Sequence, residues 1–173
     1  MMLHLFIVLC GTFFMSQSAQ VIMLMGPSCA GKSTLSKHLC EQLKVKHEQW
    51  AVIDFDDVSE SIDRLRQATD NLLKKDINVI IDTNTYEDGM EKRLENAVKI
   101  IKIIVTAPLE VLLERDEKRT HRLKRDEERA FWCKHFVIES FHRSLTWSYD
   151  LIINSAELSI SQACEVILKH IPS

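Results

Sequence analysis

A glycine-bounded stretch near the start of the chain has the spacing of a phosphate-binding loop. Residues 26–33 read GPSCAGKS, which fits the pattern G-x-x-x-x-G-K-[ST]. Glycines at both ends allow the tight turns that bring backbone N–H groups close to phosphate oxygens. Lys32 would supply positive charge to the β- and γ-phosphates of a nucleotide, and the Ser33 hydroxyl would ligate Mg²⁺. The stretch therefore predicts a nucleotide site.

The residues on either side of the loop supply the context that this interpretation requires. The apolar run VIML before the loop indicates a strand, and LSKHLCEQL after it has leucines at helical spacing. A helix that begins here adds its N-terminal dipole to the anion site. An ordinary glycine-rich turn is the alternative. The predicted nucleotide-binding residues are Gly26, Pro27, Ser28, Cys29, Ala30, Gly31, Lys32, Ser33 and Thr34.

Carboxylates follow two further predicted strands. Asp54 and Asp56 come at the end of WAVIDFD, and Asp82 ends NVIID. Ligands of open parallel sheets bind beyond the carboxyl ends of the strands, so we expect these side chains to face the phosphate loop. Asp54 is predicted to serve the metal and Asp56 to orient or deprotonate an acceptor hydroxyl. Asp82 is a substrate-side or outer residue in this interpretation, although the sequence leaves open which carboxylate lies nearer the metal. Asp57 is the best N-cap candidate for the next helix.

The segment over residues 114–129, ERDEKRTHRLKRDEER, mixes both signs of charge. Such a run is often a solvated helix face supported by i,i+4 pairs. A small kinase, however, needs cations that close over the transferring phosphoryl group, and a lid would lie here. Arg115, Arg119 and Arg122 are therefore predicted catalytic residues, together with Lys32. The segment is too rich in acids to form a nucleic-acid patch.

Apolar, β-branched runs alternate with helical patterns along the chain, which predicts an α/β fold. The expected architecture is a P-loop NTPase fold: a five-stranded parallel sheet with helices on both faces and a short helical lid. With 173 residues, the chain suits one domain over residues 21–173. Strands are predicted over 21–25, 50–55, 77–81, 100–106 and 151–153, and helices over 32–46, 57–75, 85–97, 108–119, 127–147 and 159–170.

Composition excludes some classes of protein. The formal net charge of −3 argues against a nonspecific nucleic-acid binder. Five cysteines without a C-x-x-C pair suit a reducing compartment, and the histidines lack metal-ligand spacing. Trp132, Phe141 and Trp147 lie at helical positions and are expected to be core residues.

Residues 1–20 form an apolar segment whose outline resembles a signal peptide, although no Lys or Arg precedes Lys32. The alternative is translation from Met15, which would make the segment an artefact of the chosen start site. The run is short for a membrane span, so no stable span is expected. Dependence on ATP favours a cytoplasmic location, and export is the alternative if residues 1–19 act as a signal.

Four blocks together resemble the small P-loop kinase group that includes chloramphenicol phosphotransferase and, more broadly, shikimate, gluconate and zeta-toxin-type kinases. GPSCAGKST is similar to the Walker A motif. WAVIDFDDVSESI resembles the chloramphenicol phosphotransferase segment in which an aspartate just after the second strand acts as general base, and Asp56 is the matching position. APLEVLLERDEKRTHR is similar to the lid entry at Arg115, Arg119 and Arg122, and YDLIINSAELSISQACEVIL to the closing strand and helix. The match covers nearly all of residues 21–170. Thr120-His121 replaces the usual Gly-Asp in the lid, and Asn154-Ser155 the usual Asp-Thr in the closing strand.

This resemblance implies an ATP- and Mg²⁺-dependent phosphotransferase that moves the γ-phosphate to a hydroxyl of a small molecule. It implies no particular acceptor, nucleotide preference or oligomeric state. A kinase of nucleotides, nucleic-acid ends or nucleotide-sugars is the alternative within enzymes, and the acidic balance weighs against a nucleic-acid substrate. A nucleotide-binding regulator with little turnover is the alternative outside them.

Overall fold

The sheet contains five parallel strands in the order β2-β3-β1-β4-β5. The structure, a computed structural model, describes residues 19–45, 49–58, 61–86, 94 and 99–171. The strands are β1 (Gln20–Met25), β2 (Trp50–Asp54), β3 (Asn78–Thr83), β4 (Lys99–Thr106) and β5 (Leu151–Asn154). The helices are α1 (Lys32–Val45), α2 (Ile62–Leu73), α3 (Leu109–Leu123), α4 (Glu127–Ser144) and α5 (Ile160–His170).

The central strand β1 is buried on both faces, because successive side chains of a strand point to opposite sides. Ile22 and Leu24 pack into one core with residues of α1, α3, α4 and α5. Val21 and Met23 pack into a second core with α2 and the buried Trp147. A near-continuous apolar run is what a strand covered on both faces requires. The predicted α/β fold with helices on both faces is therefore confirmed.

The helix predicted over 57–75 begins later than expected, and the prediction of Asp57 as its cap is wrong. Asp56–Val58 form a short 3-10 turn, and α2 starts after Ser61, whose hydroxyl accepts the backbone N–H of Arg64 at 3.5 Å. The Asp54 carboxylate accepts the backbone N–H two residues on at 3.0 Å, which bends the chain as it leaves β2. A helix cannot begin until that bend is complete.

The predicted lid is more helical than expected. α3 continues to Leu123 instead of ending at residue 119, and α4 ends at Ser144 instead of residue 147. A turn over residues 124–126 joins them, in which Lys124 takes the left-handed conformation with φ 50°. The helix predicted over 85–97 lies almost entirely outside the described residues, as do residues 1–18.

The prediction that Trp132 is a core residue is wrong. Trp147 is buried and Phe141 is half-buried, but the Trp132 side chain is 59% exposed. α4 turns Val137, Ser140 and Ser144 inward, and these positions recur every three to four residues along one face. Trp132 falls outside this face. Among the helices that the structure describes, none has the length and apolar character needed to cross a membrane.

Candidate active site

The phosphate-binding loop joins β1 to α1 through backbone conformations that favour glycine. Gly26 has φ +146°, and a Cβ at this position would collide with the carbonyl oxygen of Val105 in β4. Gly31 has φ +91° with open space around it, and Cys29 has φ 63°. The first glycine is thus required by close packing on the neighbouring strand, and the second by the turn into α1.

Lys32 begins α1 and is buried, with 7% of its surface exposed. Its Nζ donates a hydrogen bond to the carbonyl oxygen of Pro27 at 3.0 Å, which folds the side chain back over the loop. Burial lowers the pKa of Lys32, and the carboxylate of Asp82 is the largest influence that opposes this shift. The cation is therefore held in a poorly hydrated position, where it gains most from a phosphate ligand.

Asp82, at the end of β3, is 3% exposed. Burial raises the pKa of its carboxyl group, while the charge of Lys32 and a hydrogen bond from the Ser33 side chain lower it. Its Oδ2 atom is buried and has no hydrogen-bond partner among the described residues. A buried carboxylate oxygen without a partner is costly, and a hard cation or a water bound to one would satisfy it. The carboxylate of Asp82 and the hydroxyl of Ser33 are therefore suitable ligands for Mg²⁺.

Asp54 and Asp56 lie beside this acid. Asp54 pairs in register with Asp82 across β2 and β3, which sets the two side chains on the same face of the sheet at its carboxyl edge. Asp56 is exposed in the 3-10 turn that follows. No group of three His, Cys, Asp or Glu residues within the described ranges is arranged to hold a metal alone. Mg²⁺ in phosphoryl-transfer sites needs only one or two carboxylates, since phosphates and water complete its shell.

A cleft of about 420 Å³ brings the predicted residues together. The structure places every predicted catalytic and metal residue on its walls, while Gly26, Pro27 and Ala30 are buried in the loop beneath. Thr83 and Asn84 also line the cleft, as their position at the carboxyl end of β3 indicates. The predicted residues on the walls are Ser28, Cys29, Gly31, Lys32, Ser33, Thr34, Asp54, Asp56, Arg115, Arg119 and Arg122.

The three predicted arginines share one face of α3, because they are spaced i, i+4 and i+7. Arg119 and Arg122 are exposed on the wall of the cleft. Arg115 instead donates to the carbonyl oxygen of Cys29 at 3.3 Å and to the hydroxyl and carbonyl oxygens of Ser155 at 2.9 and 2.8 Å. Arg115 thus ties α3 to the phosphate loop and to the turn after β5.

An apolar slot of about 210 Å³ opens beside the cleft where α1 begins. Thr34 and Arg115 line both the slot and the cleft, so the two are continuous. A flat aromatic base would fit between its apolar walls and the guanidinium plane. The apolar residues of the walls include Val105, Ile153, Leu158 and Ile160.

Sequence reasoning missed one buried residue that touches the phosphate loop. Ser140 of α4 is fully buried, and its hydroxyl oxygen accepts the backbone N–H of Ser28 at 3.1 Å. The same hydroxyl donates to the carbonyl oxygen of Val137 at 3.1 Å, which fixes its orientation. A serine in a helix 112 residues away from its partner carries no sequence signal for this role.

A buried ion pair closes the turn between α3 and α4. Arg125 Nη1 lies 2.9 Å from Asp116 Oδ1, and the two side chains are 9% and 7% exposed. The same Nη1 atom donates to the hydroxyl of Thr120 at 3.1 Å. Because Asp116 lies within α3 and Arg125 in the turn that follows it, the pair ties this turn back onto α3.

Comparisons with known proteins agree with this geometry. A family model described as an AAA domain matches residues 22–132, which is more than half of the chain. The adenylyl-sulfate kinase of Deinococcus deserti is 25% identical over 170 residues, covering 89% of this chain and 92% of that protein.

Solved structures show the same fold at low identity. The APS kinase of Mycobacterium tuberculosis, solved with AMPPNP and APS, superimposes with a TM-score of 0.64 at 17% identity, covering 88% of this chain and 96% of that one. Shikimate kinase from Bacteroides thetaiotaomicron gives 0.54 at 19% identity, covering 87% and 97%. The predicted resemblance to the small P-loop kinases is confirmed. The chain therefore belongs to the AAA domain family, and its parallel sheet, phosphate-binding loop and helical lid form the P-loop kinase fold.

Proposed function

We propose that the protein is an ATP-dependent phosphotransferase that moves the γ-phosphate to a hydroxyl group of a small molecule. One observation carries the proposal: a single cleft contains a phosphate-binding loop with a buried lysine and, on the β2 side, the exposed carboxylate of Asp56. A protein that only binds a nucleotide does not require an acid beyond the phosphates. A phosphotransferase does, because the acceptor hydroxyl must lose its proton.

The loop and α1 account for the binding of ATP. The backbone N–H groups of the loop and Lys32 would bind the β- and γ-phosphates, with the dipole of α1 adding to the attraction. The apolar slot beside Thr34 would take the base, and Arg115 would cover it while remaining bonded to Ser155. This assigns Arg115 to positioning of the nucleotide, and leaves charge stabilisation during transfer to Arg119 and Arg122.

Ser33, Asp54 and Asp82 would hold Mg²⁺. Bound there, the ion would supply positive charge that neutralises the negative charge developing during transfer. Asp82 is the stronger ligand candidate of the two acids, because its Oδ2 is buried without a protein partner and Ser33 is its neighbour. Asp54 already accepts one backbone hydrogen bond. It would bind the ion directly or through a water molecule of the ion's coordination shell.

Asp56 would take the acceptor side. Its carboxylate would accept the proton of the attacking hydroxyl, or hold that hydroxyl in line with the γ-phosphate. Proton transfer to an aspartate after the second strand is also the basis of the likeness to chloramphenicol phosphotransferase, which stays a prediction. A reaction that consumes ATP supports a cytoplasmic location. A nucleotide acceptor is the second candidate, because the relative named adenylyl-sulfate kinase aligns over 89% of the chain.

The test is release of ADP from ATP and Mg²⁺ by the full chain, with sugars, aminoglycosides, chloramphenicol, shikimate and adenylyl sulfate as acceptors. Asp56→Asn should lower acceptor-dependent release by about 10²- to 10⁴-fold and still bind ATP. Lys32→Ala should lose ATP binding. Asp57→Asn is the matched control, because Asp57 is the adjacent exposed acid and does not line the cleft.

Acceptor-dependent release that Asp56→Asn abolishes and Asp57→Asn preserves would support the proposal. Tight ATP binding without release for any acceptor would contradict it and favour a nucleotide-binding regulator. Equal activity of the Asp56→Asn variant would contradict the role of Asp56 alone.

A further inference from the structure

A second and larger cavity, of about 760 Å³, lies between α3 and α4 and meets the phosphate cleft at Ser28. Ser28 lines both the cavity and the cleft, whereas the apolar slot proposed for the base adjoins the loop at Cys29–Gly31 and at Thr34 and does not include Ser28. A nucleotide with its base in that slot would place its phosphates in the cleft, which the cavity joins at Ser28. The cavity therefore lies where a second substrate would meet the phosphate end of the nucleotide.

The inner wall of this cavity contains a buried donor without a protein acceptor. The Arg125 side chain is 9% exposed and lines the cavity, and its Nη1 donates to Asp116 and Thr120. Its Nε atom is buried and has no partner among the described residues. Buried donors are nearly always satisfied by protein, water or ligand. A hydroxyl oxygen of a bound molecule would satisfy this one.

The outer wall is aromatic. Trp132, which is 59% exposed, and the half-buried Phe136 line the cavity on successive turns of α4. Large aromatic side chains at the rim of a cavity bind the face of a ring. The exposure of Trp132, which contradicts its predicted place in the core, is explained if a ligand covers it.

The charge of the cavity restricts its ligand further. Outside the Asp116–Arg125 pair, the lining contains three carboxylates and one guanidinium, from Asp126, Glu128, Glu139 and Arg129, with His135 and Cys133 as the remaining titratable groups. These four groups carry two net negative charges, although Glu139 Oε1 lies 3.8 Å from Arg143 Nε on the same helix, which leaves Asp126 and Glu128 as the main source of negative charge. Such a wall repels sulfate, phosphate and carboxylate groups and attracts an ammonium group, which can also lie over the indole ring of Trp132.

We infer that this cavity is the acceptor site and that the acceptor is a hydroxylated ring compound bearing an amine. The inference rests on the proposed phosphotransferase function. The acceptor hydroxyl oxygen forms a bond to the γ-phosphorus of ATP as the bond from that phosphorus to the β,γ-bridging oxygen breaks. ADP leaves with the electron pair of the broken bond. The reacting hydroxyl reaches from the cavity past Ser28 into the phosphate cleft, where Asp56 takes its proton.

Intrinsic fluorescence can report this site selectively. Of the three tryptophans in the chain, Trp50 and Trp147 are 3% and 8% exposed, so Trp132 is the one that a ligand in the cavity covers. The probes are 2-deoxystreptamine, kanamycin and tyramine, with shikimate and adenylyl sulfate as anionic counterparts. We expect a saturable emission change from at least one amine and none from the anions, lost in Trp132→Phe.

A matched pair of variants tests the charge. Glu128→Gln should weaken binding of the amine roughly three- to tenfold, and added salt should weaken it as well. Glu127→Gln should leave binding unchanged, because Glu127 is the adjacent exposed acid and does not line the cavity. Both residues are exposed on the first turn of α4, so neither variant should disturb folding.

Release of ADP separates this inference from the proposed function. Release stimulated by the same amine, and reduced by Trp132→Phe and Glu128→Gln, would support the inference. Release stimulated by an anionic acceptor and insensitive to both variants would overturn it and leave the proposed function standing. An emission change without ADP release, or no emission change with any amine, would also overturn it. Failure of every acceptor in a chain that binds ATP would contradict the proposed function itself.

Discussion

The buried ion pair between Asp116 and Arg125 allows a quantitative prediction about stability. Each side chain is less than a tenth exposed, and the charged atoms are 2.9 Å apart. Removing one partner leaves the other charge buried without compensation, which typically costs about 3–5 kcal/mol. Replacing both with apolar residues removes both desolvation penalties, and such double replacements are often close to neutral. The two single variants should therefore be far less stable than the double variant.

The variants are Arg125→Met, Asp116→Leu and their combination. Each single change should lower the free energy of unfolding by about 3–5 kcal/mol, which is a large part of the roughly 5–15 kcal/mol of a typical domain. For a chain of this length the midpoint of thermal unfolding should fall by about 6–20 °C. The double variant should recover most of that loss, giving a coupling energy of at least about 3 kcal/mol.

Urea unfolding followed by circular dichroism measures the three free energies. The control is Glu114→Gln, which breaks the exposed pair of Glu114 with Lys118 on the same helix, with side chains 60% and 74% exposed, and should leave the midpoint unchanged. Single variants that cost less than about 1 kcal/mol, or a double variant whose loss equals the sum of the singles, would refute the reasoning from burial.

Three further predictions concern the loop and its neighbours. Because burial raises the pKa of Asp82 above 3.8, the folded state holds a proton that the unfolded state has lost, and stability falls as pH rises from 3.8 through the folded pKa. Asp82→Asn should therefore gain stability relative to the original chain as pH rises above about 4, as urea titrations would measure. The same variant should lose Mg²⁺-dependent ADP release. A difference in stability that does not depend on pH would contradict this prediction. Gly26→Ala should give no soluble folded protein, since its Cβ meets the backbone of β4. Gly31→Ala has open space but a φ of +91° that strains any side chain, so it should fold with reduced stability and weaker ATP binding. Circular dichroism and ATP titration would measure both. Ser140→Ala leaves the N–H of Ser28 without its acceptor and should raise KM for ATP more than it lowers kcat. Ser144→Ala, one turn further along the same helix, should leave both constants unchanged. Equal effects of the two variants would assign Ser140 a structural role only.

Much of the fold could be predicted from the sequence because its signals are local. The spacing of Gly26 and Gly31 reflects backbone conformations that other residues adopt only with strain, so it identifies the phosphate loop directly. Continuous apolar runs predict strands buried on both faces. Each of these depends on steric preference or periodicity within a few residues of chain.

The predictions for the start of α2 and for the burial of Trp132 are wrong for a common reason: the local pattern of residues does not determine either of them. Several polar residues precede the helix, and the choice of Ser61 over Asp57 as cap depends on the bend that Asp54 imposes after β2. Periodicity alone does not identify which face of α4 meets the sheet. Trp132 lies on the other face because Val137 and Ser140 turn inward.

The sequence by itself determined the phosphate loop, the alternating α/β pattern and the set of acids and arginines available for chemistry. Only the tertiary structure decided how those groups meet. Asp82 lies beside Ser33 because β3 pairs between β2 and β1, Arg115 bonds Ser155 across 40 residues, and Ser140 bonds Ser28 across 112. Contacts between distant segments depend on strand order and helix packing, which arise from the whole core at once and leave no pattern in any short stretch of sequence.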